Sequence, residues 1–174
     1  MKKLNKIIFL SVLVSTGLGL SVLESSIPLP ITIPGAKLGL SNIVVLVSLV
    51  LFGFKEGLTV SALKSIVLML VTGSISSFLY SFTGAVLSCI IMYIGLKHAS
   101  NIFSLVGISI LGALSHNFAQ ISVASLMMRN LRIYTYLPFL MITSLFTGYF
   151  VGLSSRYIIQ NLRKNFKIFL QDRV

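Results

Sequence analysis

A chain of 174 residues that is 56% hydrophobic and only 10% charged, with a mean hydropathy of +1.00, lacks the polar surface of a water-soluble domain. Fourteen basic residues against three acidic ones give a net charge of +11. The basic groups sit at the ends of apolar runs rather than on a polar module, which argues against a nucleic-acid partner and for a lipid bilayer. Cys89 is the one cysteine, so an intrachain disulfide and a thiolate metal cluster are excluded.

The apolar runs predict an all-α integral membrane protein, a single domain over residues 1–174 built as a compact bundle of about six transmembrane helices. Their expected extents are Ile7–Leu23, Leu38–Phe54, Gly57–Thr72, Phe78–Leu96, Ile102–Met128 and Tyr134–Ile159. MKKLNK before the first run has the look of a signal-peptide start. No A-x-A-like cleavage site follows it, so the run is expected to remain as a helix. With the amino terminus inside, Lys2, Lys3, Lys6, Lys55, Lys97, Arg156 and the basic residues of the carboxyl-terminal tail face the cytoplasm. Only Lys37, Arg129 and Arg132 fall outside. Both termini are therefore expected on the cytoplasmic side of the cell membrane.

In the first run Ser11, Ser15 and Gly19 recur every four residues, and in the sixth Ser144, Gly148 and Gly152 do the same. Small residues at that spacing let helix backbones approach closely, within the protein by default or against a partner.

Between the first two runs lies ESSIPLPITIPGAKLGLSN, from Glu24 to Asn42, with three of the chain's four prolines. Pro28, Pro30 and Pro34 forbid a continuous helix and favour a stiff, extended connector. Gly35 then lets the chain turn, and Lys37 stands at the entry to the second run. Such a connector serves either as a rigid hairpin or as part of a ligand site, with Glu24, Lys37 and Asn42 as its polar groups.

Lys64 falls near the middle of the third run, where a lysine costs about 2.5–3.5 kcal/mol on insertion scales. Ser61 and Ser65 share its helix face, so the stripe is expected to face protein or water rather than lipid. Either the stem snorkels to an interface, or the ammonium meets Glu24, Glu56 or a ligand. In the fifth run, GALSHNFAQ places His116 and Gln120 four apart with Asn117 beside them. Buried groups of this kind must be hydrogen-bonded, as glue between helices or as ligand contacts. A metal site is not expected, because His98 belongs to the opposite membrane face. Arg129 and Arg132 flank the outer end of the fifth run. A cavity with this lining favours a small anionic or carbonyl-rich ligand from outside. The tail from about residue 160 to 174 mixes Leu162, Phe166 and Phe169 with Arg163, Lys164 and Lys167, a pattern for an interfacial amphipathic helix.

Through ESSIPLPITIPGAKLGLSN and GALSHNFAQ the chain resembles, from about Ile7 to Ile159, a family of small bacterial membrane proteins. Its members are labelled "Gx transporter" or "heptaprenyl diphosphate synthase component I". That family is similar to the substrate-binding S components of energy-coupling factor (ECF) transporters. The resemblance implies a six-helix binding subunit for a vitamin-like or quinone- or isoprenoid-related precursor, served by a shared transmembrane subunit and two cytosolic ATPases. It implies a ligand site near the outer face, at Glu24, Lys37, Asn42, Lys64, His116, Asn117, Gln120 and Arg129. It also implies a docking face on the first helix at Ser11, Ser15 and Gly19, where serines stand in place of the usual alanines.

Prenyl diphosphate synthesis needs clustered carboxylates to hold Mg²⁺, and three scattered acids do not supply them. A Walker A sequence is also missing, so ATP hydrolysis is not expected of this chain. The sequence therefore reads as a non-catalytic binding subunit without a cofactor. The alternative is an accessory membrane protein of isoprenoid or quinone biosynthesis.

Overall fold

Long apolar segments interrupted by glycine, proline and serine dictate a helical bundle, and the interruptions set its joints. The computed structural model describes residues 3–26 and 37–165. Among them are six α-helices: α1 (Lys3–Ser25), α2 (Asn42–Phe52), α3 (Phe54–Thr72), α4 (Ile75–His98), α5 (Leu105–Met127) and α6 (Leu137–Asn165). A 3₁₀ helix, Leu131–Tyr136, leads into α6. Local chemistry explains the starts. Ser74 and Ser104 accept the amides of Ser77 and Gly107 with their hydroxyls, and the Asn130 side chain accepts that of Arg132. Pro138, second residue of α6, stands where its missing N–H is no loss.

Among the described residues, four segments are long and apolar enough to cross a membrane: Leu4–Ser25, Ile75–His98, Leu105–Met127 and Leu131–Lys164. The other two helices differ from full spans for physical reasons. The run from Leu38 becomes helical only at Asn42, because Gly39 takes φ 85° in a turn closed by Asn42 N–H to Gly39 O and Ile43 N–H to Leu40 O. Gly53, at φ 98°, ends the helix after 11 residues, about 16 Å at 1.5 Å per residue and half of a hydrocarbon core of about 30 Å. Helix α3 has 19 residues but carries Lys55, Glu56 and Lys64.

Helix α2 is the axis of the bundle. It packs against all five other helices, and Val45, Leu46 and Val47 are completely buried. Its Ile43 carbonyl receives the Ser155 hydroxyl from α6. At its far end Phe52 meets Phe9, Phe54 meets Tyr93, and Lys6 of α1 forms an ion pair with Glu56 of α3. The small-residue seam of α6 is internal: a Cβ at Gly148 would come within 2.6 Å of the Ile110 Cα, and one at Gly152 within 2.7 Å of the Val106 Cα. On α1, by contrast, Ser11, Ser15 and Gly19 lie on an exposed face. Of the carboxyl-terminal tail, α6 continues to Asn165, and the remainder of that expected amphipathic helix lies outside the described residues.

Candidate functional site

Glu24 sits in the last turn of α1, where that helix's own dipole disfavours a carboxylate. It is satisfied from elsewhere. Its Oε1 accepts the backbone amide of Leu40, in the turn that begins α2. The negative end of one helix thus meets the positive end of the next, with a carboxylate between them.

From α3, Lys64 reaches the same turn. Its Nζ donates to Ser41 Oγ at 2.6 Å and lies 3.5 Å from Asn42 Oδ1. Its stem passes α1 where a Cβ on Gly17 would lie 3.6 Å from Cδ. Lys64 is 1% exposed, so it points into protein and does not snorkel. The predicted face is confirmed by its neighbours, since Ser61 and Ser65 are also buried and Ser65 meets Ser81 of α4 at 3.1 Å. Of the two glutamates weighed as its counter-charge, Glu56 belongs to the far end of the bundle with Lys6. Lys64 and Lys37 both act electrostatically on Glu24.

The third wall is α5. The Lys37 backbone amide donates to Gln120 Oε1 at 3.2 Å, and Gln120 Nε2 is 3.0 Å from His116 Nε2. With its oxygen committed to Lys37, Gln120 presents its NH₂ to the imidazole. His116 must then accept at Nε2 and carry its proton on Nδ1, which makes it a neutral ring. The ring lies against the backbone of α4: a Cβ at Gly84 would be 2.8 Å from Cε1 and 2.9 Å from Nδ1. On the other side, a Cβ at Gly39 would be 3.4 Å from His116 Cδ2 and 3.3 Å from Asn42 Nδ2. Glycines therefore let α4 and the 37–41 turn close on the imidazole.

Glu24, Lys37, Asn42, Lys64, His116 and Gln120 thus form one buried polar cluster. Glu24 is 4% exposed and Lys37 7%. Four of its atoms, Glu24 Oε2, Lys37 Nζ, Asn42 Nδ2 and His116 Nδ1, are buried without a hydrogen-bond partner. Unpaired groups of this kind are costly in an apolar interior. No group of three or more His, Cys, Asp or Glu side chains suited to a metal ion occurs among the described residues.

Two residues expected at the site stand apart from it. Asn117 directs its amide nitrogen to α6, at 2.7 Å from Ser144 Oγ and 3.2 Å from the Leu140 carbonyl. Helical geometry explains this, because adjacent residues are about 100° apart around the axis. Arg129 is exposed just beyond α5, with φ 47°, and Arg132 is exposed as well. Pro28, Pro30 and Pro34 lie outside the described residues. Reading the sequence did not single out Ser41, Gly39 or Gly84. Ser41 could have been found as the hydroxyl next to Asn42 at a helix start, and Gly84 from its spacing with Ser81 and Ser88 on one face of α4.

A family model described as "Heptaprenyl diphosphate synthase component I" matches residues 13–158. Neither the curated proteins nor the solved structures yield a match to this chain.

Proposed function

The chain belongs to the heptaprenyl diphosphate synthase component I family, and on that footing we propose that it is a non-catalytic, multi-pass subunit of the cell membrane that captures a small molecule from the outer side. In this reading it is the S component of an ECF-type importer, both termini are cytoplasmic, and a transmembrane subunit and two cytosolic ATPases supply the energy. The observation that carries the reading is the buried Glu24–Lys37–Lys64 cluster with its unpaired atoms. Charges inside a membrane protein are expensive, and they persist where they serve a substrate path or a ligand. The exposed small-residue face of α1 supports the partner half. Ser11 and Ser15 return their hydroxyls to the carbonyls of Ile7 and Ser11. That face is left smooth, free of unpaired hydroxyls, and fit for close helix contact.

A second reading is favoured by the family's own description. The chain would then be an accessory subunit that holds an isoprenoid or quinone intermediate for a prenyl diphosphate synthase. Affinity purification of the tagged protein from its native membrane separates the two. Co-purifying ATPase subunits support the importer, a co-purifying prenyltransferase supports the accessory subunit, and binding of no small molecule by the purified protein would refute both.

A further inference from the structure

Of the four unpaired atoms, His116 Nδ1 is packed against the backbone of α4 at Gly84, and the other three differ in kind in a way that specifies a ligand. Each belongs to a residue that the protein grips by its other polar group. Glu24 is held through Oε1 by the Leu40 amide, so Oε2 is free. Asn42 turns Oδ1 to Lys64, so Nδ2 is free. Lys37 is held through its backbone amide by Gln120, so Nζ is free. Side chains anchored on one arm and open on the other are pre-organised for a guest.

A carboxylate accepts, whereas an ammonium and an amide NH₂ donate. Resting on the capture reading above, we propose that the bound molecule carries a hydrogen-bond donor beside a carbonyl or carboxylate. Its N–H or O–H meets Glu24 Oε2, and its carbonyl or carboxylate meets Lys37 Nζ and Asn42 Nδ2. Amides, lactam-bearing heterocycles and hydroxy acids have this paired character. A prenyl diphosphate does not: its head is rich in acceptors only, and it would set phosphate oxygens against Glu24. With His116 neutral, Glu24, Lys37 and Lys64 sum to one positive charge, which suits a neutral or singly anionic guest better than a multiply charged one.

The test uses the full-length protein in lipid nanodiscs and measures dissociation constants by calorimetry. The probes are a panel of small lactams, amides and hydroxy acids, each paired with its N- or O-methylated twin, together with geranyl diphosphate and inorganic diphosphate. At least one parent compound should bind, and its methylated twin should bind about 10-fold or more weakly, the range of a hydrogen bond to a charged group. Glu24→Gln should abolish the preference for parent over twin. If that variant does not fold, Lys37→Met decides instead: parent affinity should fall about 10-fold, and unchanged affinity would overturn the proposal. Tight binding of the diphosphates, indifferent to Glu24→Gln, would overturn the ligand chemistry and leave capture standing. Failure of the folded wild-type protein to bind any probe would overturn capture as well.

Discussion

Lys64 Nζ donates to Ser41 Oγ across 2.6 Å, so a lysine from the body of α3 holds the turn from which α2 starts. The same turn gives its Leu40 amide to Glu24 of α1. Three helices are thereby joined at one point by two opposite charges that do not touch directly. Non-helical backbone within a membrane bundle is tolerated where it is enclosed by protein, and Gly39 and Ser41 are buried.

Lys64→Ala should therefore destabilise the bundle by about 3 kcal/mol, because it removes one of the two counter-charges of Glu24 together with the hold on Ser41. Lys64→Met, which keeps the stem, should be milder. Combining Glu24→Gln with Lys64→Met should cost less than the sum of the single changes, by about 0.5–3 kcal/mol. Unfolding followed by circular dichroism in detergent, across the four proteins of this cycle, measures the coupling.

Gly84→Val should push the His116 ring away from α4 and disturb its contact with Gln120, and with it the anchoring of Lys37. The added bulk should cost about 1–3 kcal/mol in stability. Ligand affinity, once a ligand is in hand, should fall by about 10-fold through loss of one charged contact. Thermal unfolding and titration of the same preparation report the two effects separately.

Gly17 and Gly19 lie two residues apart on α1 and predict opposite behaviour. A Cβ at Gly17 would be 2.7 Å from Val44 Cγ2, whereas one at Gly19 meets nothing within 4 Å. Gly17→Leu should destabilise the fold by about 1–3 kcal/mol. Gly19→Leu should leave it within about 0.5 kcal/mol of wild type, as an exposed substitution does. If α1 docks a partner through its open face, only Gly19→Leu will yield a folded protein that no longer pulls the partner down.

Asn117→Ala should cost about 1 kcal/mol, in the range of interhelical hydrogen bonds in membranes, through loss of its contacts to Ser144 and Leu140. Ligand affinity should be unaffected. Arg129→Ala should change neither quantity, since its side chain is exposed beyond α5. Loss of affinity in either variant would return that residue to the site.

The helical bundle was legible because apolar runs of this length have few alternatives in lipid. Lys64 was legible for the same reason: a lysine amid Val60, Ser61 and Ser65 needs protein around it. Contacts between distant segments were not legible. Nothing in GALSHNFAQ says that Gln120 receives the amide of Lys37, 83 residues earlier, or that Asn117 belongs to α6. The length of α2 was missed because hydropathy registers composition and is blind to a glycine at positive φ. Leu38 and Leu40 are apolar enough to extend the run, but the Gly39 turn shortens the helix.

The burial of α2 has a consequence for how the chain assembles. A segment as greasy as NIVVLVSLVLF is favoured in lipid, yet in the folded molecule it is buried by neighbours that include α6, the farthest of them along the chain. The core is therefore completed late along the chain: Ser155 of α6 reaches back to Ile43, and a nascent chain halted after α5 would leave one flank of its innermost helix uncovered.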